Sequence, residues 1–182
     1  MHTEIILSGF GGQGILFAGK CIAGSGMAAG KEISWLPSYG PEMRGGTANC
    51  SVCISDKKIG SPFVTSPDIL IVMNTPSFDR FCSKTRRGGA IFADRSMTDR
   101  IPDRDDIDFY SVPASETAEK NGLRGMGNTL LLGYMLSKCG ERLCGITKEN
   151  AAAAFRQLIP ENKPQLAEMN ICALELGFQM TE

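Results

Sequence analysis

The sequence is 182 residues long, carries 19 Lys and Arg against 20 Asp and Glu, and has a formal net charge of −1. Its 42% hydrophobic and 21% charged residues fit one globular domain spanning residues 1–182, large enough to need no metal or disulfide staple. The balanced charge argues against nucleic acid, whose binders carry a clustered basic surface, and Arg86-Arg87 reads as part of a solvated loop.

Residues 4–8 form a short apolar run, the mark of a buried parallel strand. The run enters Gly9-Phe10-Gly11-Gly12-Gln13-Gly14. The apolar stretch from Ile15 then predicts a helix stopping near Gly30. Residues 33–36 predict a second strand and complete a β–loop–α–β crossover with its strands parallel. A polar loop rich in Gly and Pro covers residues 37–46, and residues 47–55 predict a strand. Asp56-Lys57-Lys58 reads as a turn, with residues 59–64 pairing back as a hairpin. Residues 69–73 and 90–94 are buried strands, with a short helix over 78–85 between them. Residues 95–106 read as solvated loop and 108–112 as the last strand. Helices are expected over 113–121 and 128–139, and over 148–158 with Thr147 as N-cap. A final helix opens at Lys163-Pro164 and stops near Gly177, a C-cap by type. The expected fold class is α/β, in three layers, with a mostly parallel sheet, a β-hairpin and a helical C-terminal third.

No apolar run reaches the roughly 18 residues of a transmembrane helix. Residues 1–4 lack the basic stretch and apolar core of a signal peptide. Seven cysteines are scattered along the chain, the pattern of reduced, buried thiols, and a cytoplasmic location is expected. Cys50-Ser51-Val52-Cys53 has C-x-x-C spacing, yet a zinc site needs a second ligand pair and the sole His is His2. A redox pair of this spacing usually opens a helix. Here the segment reads as a strand, where residues i and i+3 point to opposite faces, so two unrelated strand thiols are expected.

Gly9-x-Gly11-x-x-Gly14 sits after a strand and before a helix. Glycines let the backbone approach a ligand closely, and the helix start offers unpaired N–H groups to a phosphate. A structural loop that binds nothing is the competing reading. A dinucleotide site also wants an acid at the end of the second strand, and Trp35-Leu36-Pro37-Ser38 supplies none. A phosphate-binding loop of the G-x-x-x-x-G-K-[ST] type has its spacing in Gly14 and Gly19-Lys20, but Cys21 replaces the hydroxyl. Ser38 to Thr47 is the other unusual stretch, with Tyr39, Glu42, Arg44, Gly45 and Gly46. Arg suits a carboxylate or phosphate, and a Glu42–Arg44 ion pair holding the loop is the structural alternative.

The pairing of Gly-Phe-Gly-Gly-Gln-Gly at 9–14 with Tyr-Gly-Pro-Glu-Met-Arg-Gly-Gly at 39–46 resembles the gamma subunit of the 2-oxoacid:ferredoxin (or flavodoxin) oxidoreductases. Pro67-Asp68, Ala93-Asp94 and Asn128 with its apolar helix extend the resemblance over nearly the whole chain. It implies a non-catalytic α/β module in a hetero-oligomer with alpha, beta and delta (ferredoxin-like) subunits. The implied reaction is coenzyme A-dependent oxidative decarboxylation of a 2-oxoacid, 2-oxoglutarate to succinyl-CoA being most similar, with ferredoxin or flavodoxin as electron acceptor. Thiamine diphosphate, Mg²⁺ and [4Fe–4S] clusters are implied on partner subunits. For this chain the resemblance implies Gly11, Gly12, Gln13 and Gly14 as a coenzyme A phosphate site or interface loop. It implies Tyr39, Glu42, Arg44, Gly45, Gly46 and Asn128 as residues facing the interface or active site. No catalytic residue or metal ligand is expected here, since the chain has no internal His base and no four-Cys cluster. A stand-alone Rossmann-like protein binding NAD(P), coenzyme A or another nucleotide is the alternative.

Overall fold

Every residue of Ile69–Val72 and of Ala90–Asp94 is buried, as central parallel strands covered on both faces should be. The computed structural model of the chain describes residues 1–38 and 47–181. Its strands are β1 (His2–Phe10), β2 (Glu32–Ser38), β3 (Thr47–Ser55), β4 (Ile69–Val72), β5 (Ala90–Asp94) and β6 (Asp108–Val112). They form a six-stranded sheet in the order β2-β3-β1-β4-β5-β6. β1, β4, β5 and β6 pair in parallel. β3 runs antiparallel to both β1 and β2.

The helices are α1 (Ile15–Ala28), α2 (Thr75–Phe81), α3 (Ala114–Lys120), α4 (Gly127–Cys139), α5 (Lys148–Leu158) and α6 (Pro164–Gln179). Strand alternation sorts the side chains into two cores. Ile5, Leu7, Ile69, Ile71, Ala90 and Phe92 face the larger one, under α1 and α4. Ile6, Leu70, Val72, Ile91 and Ala93 face the smaller one, where Phe78 and Phe81 of α2 cover them. α5 and α6 pack outside α1 and α4, completing the helical C-terminal third. The sheet is thus the middle of three layers. Phe92 stacks on Tyr110 at 4.8 Å between ring centres, and Tyr134 of α4 meets both edge-on at 6.1 Å.

Three local expectations are corrected. Residues 59–64 form no strand; β3 has β1 on one edge and β2 on the other, so no ladder is left for them, and Pro62 breaks the run. The hairpin of the sheet is β2 with β3. β1 and β2 run in the same direction, but β3 lies between them and they share no hydrogen bonds. Gly177 is not a C-cap, because α6 continues to Gln179. Its missing side chain instead lets α6 touch α4: a β-carbon there, or on Gly133, would overlap the carbonyl oxygens of Leu130 and Leu174 respectively.

Candidate functional site

The connections out of β1 and β4 diverge. After β1 the chain crosses the larger core through α1 toward β2, while after β4 it crosses the smaller core through α2 toward β5. Such a switch point opens a crevice at the carboxyl ends of the strands, where α/β folds bind ligands. A cleft of about 180 Å³ lies there, lined by Gly12, Gln13, Met73, Ser115, Gly127 and Asn128 among others.

Its glycine-loop wall is tightly fixed. Gly14 caps α1 with a left-handed backbone, φ 70°, which a residue without a β-carbon adopts freely. α1 has no acidic residue in its first turn and no side-chain cap, so among the described residues its leading N–H groups have no side-chain partner. Gln13 clamps the loop to the next strand. Its Oε1 accepts from the Phe10 N–H at 2.6 Å, and its Nε2 donates to the Met73 carbonyl at 2.8 Å. Asn74 Nδ2 adds a third bond to Oε1 at 3.4 Å. Both ends of the Gln13 amide are therefore taken by the protein, and the exposed part of the loop is the main chain of Gly11 and Gly12. Beneath the loop, buried Ser8 donates to Ser77 Oγ at 2.9 Å, and Asn74 accepts from the Ser77 N–H at 2.8 Å.

Asn128, at the start of α4, donates from Nδ2 to the Gly14 carbonyl at 3.0 Å. It joins the α4 start to the glycine loop across 114 residues of sequence. Beside it stands Ser115 of α3. Its Oγ donates to Oδ2 of Asp94 at 2.5 Å, and its N–H donates to the same oxygen at 3.1 Å. Asp94 is fully buried and also accepts from the Ser96 N–H at 3.0 Å. Three protein donors thus neutralise the cost of burying this carboxylate at the end of β5.

Of the residues the sequence singled out, Gly12, Gln13 and Asn128 line one cleft, Gly14 is bonded to Asn128, and Gly11 is exposed next to Gly12. Tyr39, Glu42, Arg44, Gly45 and Gly46 lie outside the described residues. Their flanks, Ser38 and Thr47, sit in register with Asn49 and Phe10 respectively. Sequence reasoning missed Asn74, Ser77 and Ser115. Asn74-Thr75-Pro76 carried a usable signal, an N-cap type followed by Pro in the first turn. Ser115 had none, because its role depends on a carboxylate 21 residues away.

Cys50 and Cys53 lie on opposite faces of β3: Cys50 joins the larger core, while the Cys53 thiol reaches the Ser61 carbonyl at 4.0 Å. Burial pushes their thiols up to about 12 and about 11, the reverse of a reactive thiolate. Among the described residues, no three His, Cys, Asp or Glu side chains converge as metal ligands. No described helix is long and apolar enough to cross a membrane.

The family model for pyruvate ferredoxin/flavodoxin oxidoreductase matches residues 4–180. The chain belongs to this family. Subunit VorA of ketoisovalerate oxidoreductase from Methanothermobacter marburgensis is 36% identical over 97% of this chain. This family member spans only 36% of that relative's length. Subunit KorC of 2-oxoglutarate synthase from Methanocaldococcus jannaschii is 33% identical over 100% of this chain and 95% of its own. Among solved structures, the gamma subunit of keto/oxoacid ferredoxin oxidoreductase from Geobacter sulfurreducens superimposes with a TM-score of 0.81. It is 28% identical and covers 97% of this chain and 96% of that one. In this chain the switch-point cleft sits on that family fold, and β3 sets the sheet apart from a dinucleotide fold. β3 separates β1 from β2, so the end of β2 lies two strand spacings, about 10 Å, from the glycine loop.

Proposed function

We propose that this chain is the gamma subunit of a multi-subunit 2-oxoacid:ferredoxin oxidoreductase. The observation that carries the reading is end-to-end correspondence, at 95% of KorC and 96% of the Geobacter gamma subunit. In the proposed complex a 2-oxoacid, 2-oxoglutarate on the KorC likeness, loses its carboxyl group as CO₂. Two electrons pass to ferredoxin or flavodoxin, and the acyl carbon bonds to the coenzyme A sulfur as succinyl-CoA. The VorA likeness favours a second substrate reading, a branched-chain 2-oxoacid.

The described residues offer no donor set for Mg²⁺-bound thiamine diphosphate or an iron–sulfur cluster. These groups are assigned to the alpha, beta and delta partner subunits. Coenzyme A is the group this chain fits. The main-chain N–H groups of Gly11 and Gly12, with the start of α1, form a wall suited to a phosphate, and Gln13 and Asn128 hold that wall in place. A cleft of about 180 Å³ holds only part of so large a molecule, since full ligand pockets run from about 300 to 1,000 Å³. The remaining surface is assigned to a partner, so the chain contributes binding and orientation and the partners supply the chemistry.

The experiment is co-expression of the chain with candidate alpha, beta and delta chains, followed by native mass measurement. A stable complex containing this chain is the expected result. A chain that never enters the complex contradicts the reading.

A further inference from the structure

The proposed coenzyme cleft has two walls of opposite hydrogen-bonding character. One is the glycine loop, whose main chain presents N–H donors. The other is formed by Ser115 and Asn128. A serine hydroxyl has one proton, and that of Ser115 is committed to Asp94 Oδ2. What Ser115 keeps for the cleft is its lone pairs. The Asn128 amide is oriented by its neighbour: the Gly14 carbonyl accepts only, so Nδ2 faces it. Asn128 is 6% exposed and lines the cleft, and its Oδ1 has no protein partner among the described residues. That oxygen opens to the cleft, where a donor of the ligand can replace water as its partner.

Charge points the same way. None of the described residues lining the cleft is Lys, Arg or His. The buried Asp94 carboxylate stands directly behind Ser115 and repels an anion placed on that side. We infer that the Ser115–Asn128 wall takes an uncharged hydrogen-bond donor of the ligand, an amide N–H, hydroxyl or amino group, and leaves phosphate to the glycine loop. The inference rests on the coenzyme A reading and deepens it. Asp94 is a positioning residue in this arrangement, acting through the Ser115 hydroxyl.

The test is calorimetric titration of the full chain with coenzyme A, pantetheine, adenosine and pyrophosphate. Pantetheine carries the amide and hydroxyl donors, adenosine the amino group, and pyrophosphate the anion. Ser115→Ala is expected to weaken coenzyme A and one uncharged fragment about five- to tenfold, the worth of one hydrogen bond, with pyrophosphate unchanged. The weakened fragment identifies the donor. Gly12→Asp is expected to do the reverse, weakening pyrophosphate and sparing the uncharged fragment. Ser115→Thr keeps the hydroxyl and is expected to restore coenzyme A affinity to within about twofold, since it retains the bonded acceptor. If coenzyme A binds and Ser115→Ala changes nothing, or weakens pyrophosphate instead, the two-wall inference is wrong while the coenzyme reading stands. If the unchanged chain binds none of the four probes, both fail.

Discussion

Gly177 and Leu130 meet main chain to main chain: a β-carbon on Gly177 would overlap the Leu130 carbonyl oxygen. Gly133 stands in the same relation to Leu174 from the opposite helix. Two glycines, one on each side, therefore let α4 and α6 approach to backbone contact. This contact holds α6 against α4, whose first turn carries Asn128 to the cleft.

Gly177→Ala should force the two helices apart. Overpacking of a close interior contact costs about 1–3 kcal/mol, which for a domain of this size lowers the Tm by roughly 3–10 °C. Thermal melting followed by circular dichroism measures it. An unchanged Tm would show that the helices have room to part freely.

Gln13→Ala removes the clamp between the glycine loop and β4. It leaves the Phe10 N–H and the Met73 carbonyl without their side-chain partner, and each such loss costs about 1–3 kcal/mol where water cannot replace it. Stability should fall, and coenzyme A affinity with it. Gln13→Glu keeps the bond from Phe10 but sets a carboxylate oxygen against the Met73 carbonyl, so it should not rescue. A Gln13→Ala chain with unchanged stability would contradict the clamp.

The seven thiols should divide by burial. Cys172 is exposed and Cys82 half-buried, while Cys21, Cys50, Cys53, Cys139 and Cys144 are buried. A colorimetric thiol reagent at pH 8 should react with two thiols in the native chain and reach the other five only after denaturation. Burial raises Cys50 to about 12 and both Cys53 and Cys139 to about 11, above the unfolded value of about 8.5. A raised folded pKa gives stability that is fully present below the unfolded value and fades as pH rises toward the folded one. The denaturant midpoint should therefore fall between about pH 8.5 and pH 11. More than two fast thiols, or a midpoint flat across that window, would contradict the buried assignment.

Thr147→Ala should weaken the start of α5. Thr147 Oγ1 accepts from the Asn150 N–H at 3.3 Å, and the Asn150 side chain accepts from the Thr147 N–H at 3.0 Å. Losing an N-cap of this kind costs about 1 kcal/mol, to be read as a shifted denaturant midpoint at constant slope.

What the sequence revealed follows from how local the cause was. β4, β5 and α4 were legible because a continuous apolar run needs burial on every side. Thr147 was legible as a cap because its partner lies three residues away. β2 pairing with β3 was not, because both candidate partners for β3 looked alike as short apolar runs and the choice was made by long-range pairing. Gly177 looked like a helix terminator because glycine serves both termination and close approach, and only the partner helix distinguishes them. At the cleft, the glycine spacing drew attention to the loop, and the family resemblance to Asn128; the structure lines the cleft with Gly12, Gln13 and Asn128. Neither gave a hint that the Gln13 amide is spent within the protein or that Ser115, held by Asp94 behind it, joins Asn128 in the opposite wall.

On the proposed function, this chain binds and positions while partner subunits perform the oxidation. The direct measurement is coenzyme A-dependent reduction of ferredoxin by 2-oxoglutarate, with each purified component alone and with the complex reconstituted anaerobically from alpha, beta, gamma and delta chains. No turnover is expected from this chain alone, with or without added thiamine diphosphate, and activity is expected only when it joins its partners. Turnover by the solitary chain, or full activity of the partners without it, would overturn this division of labour.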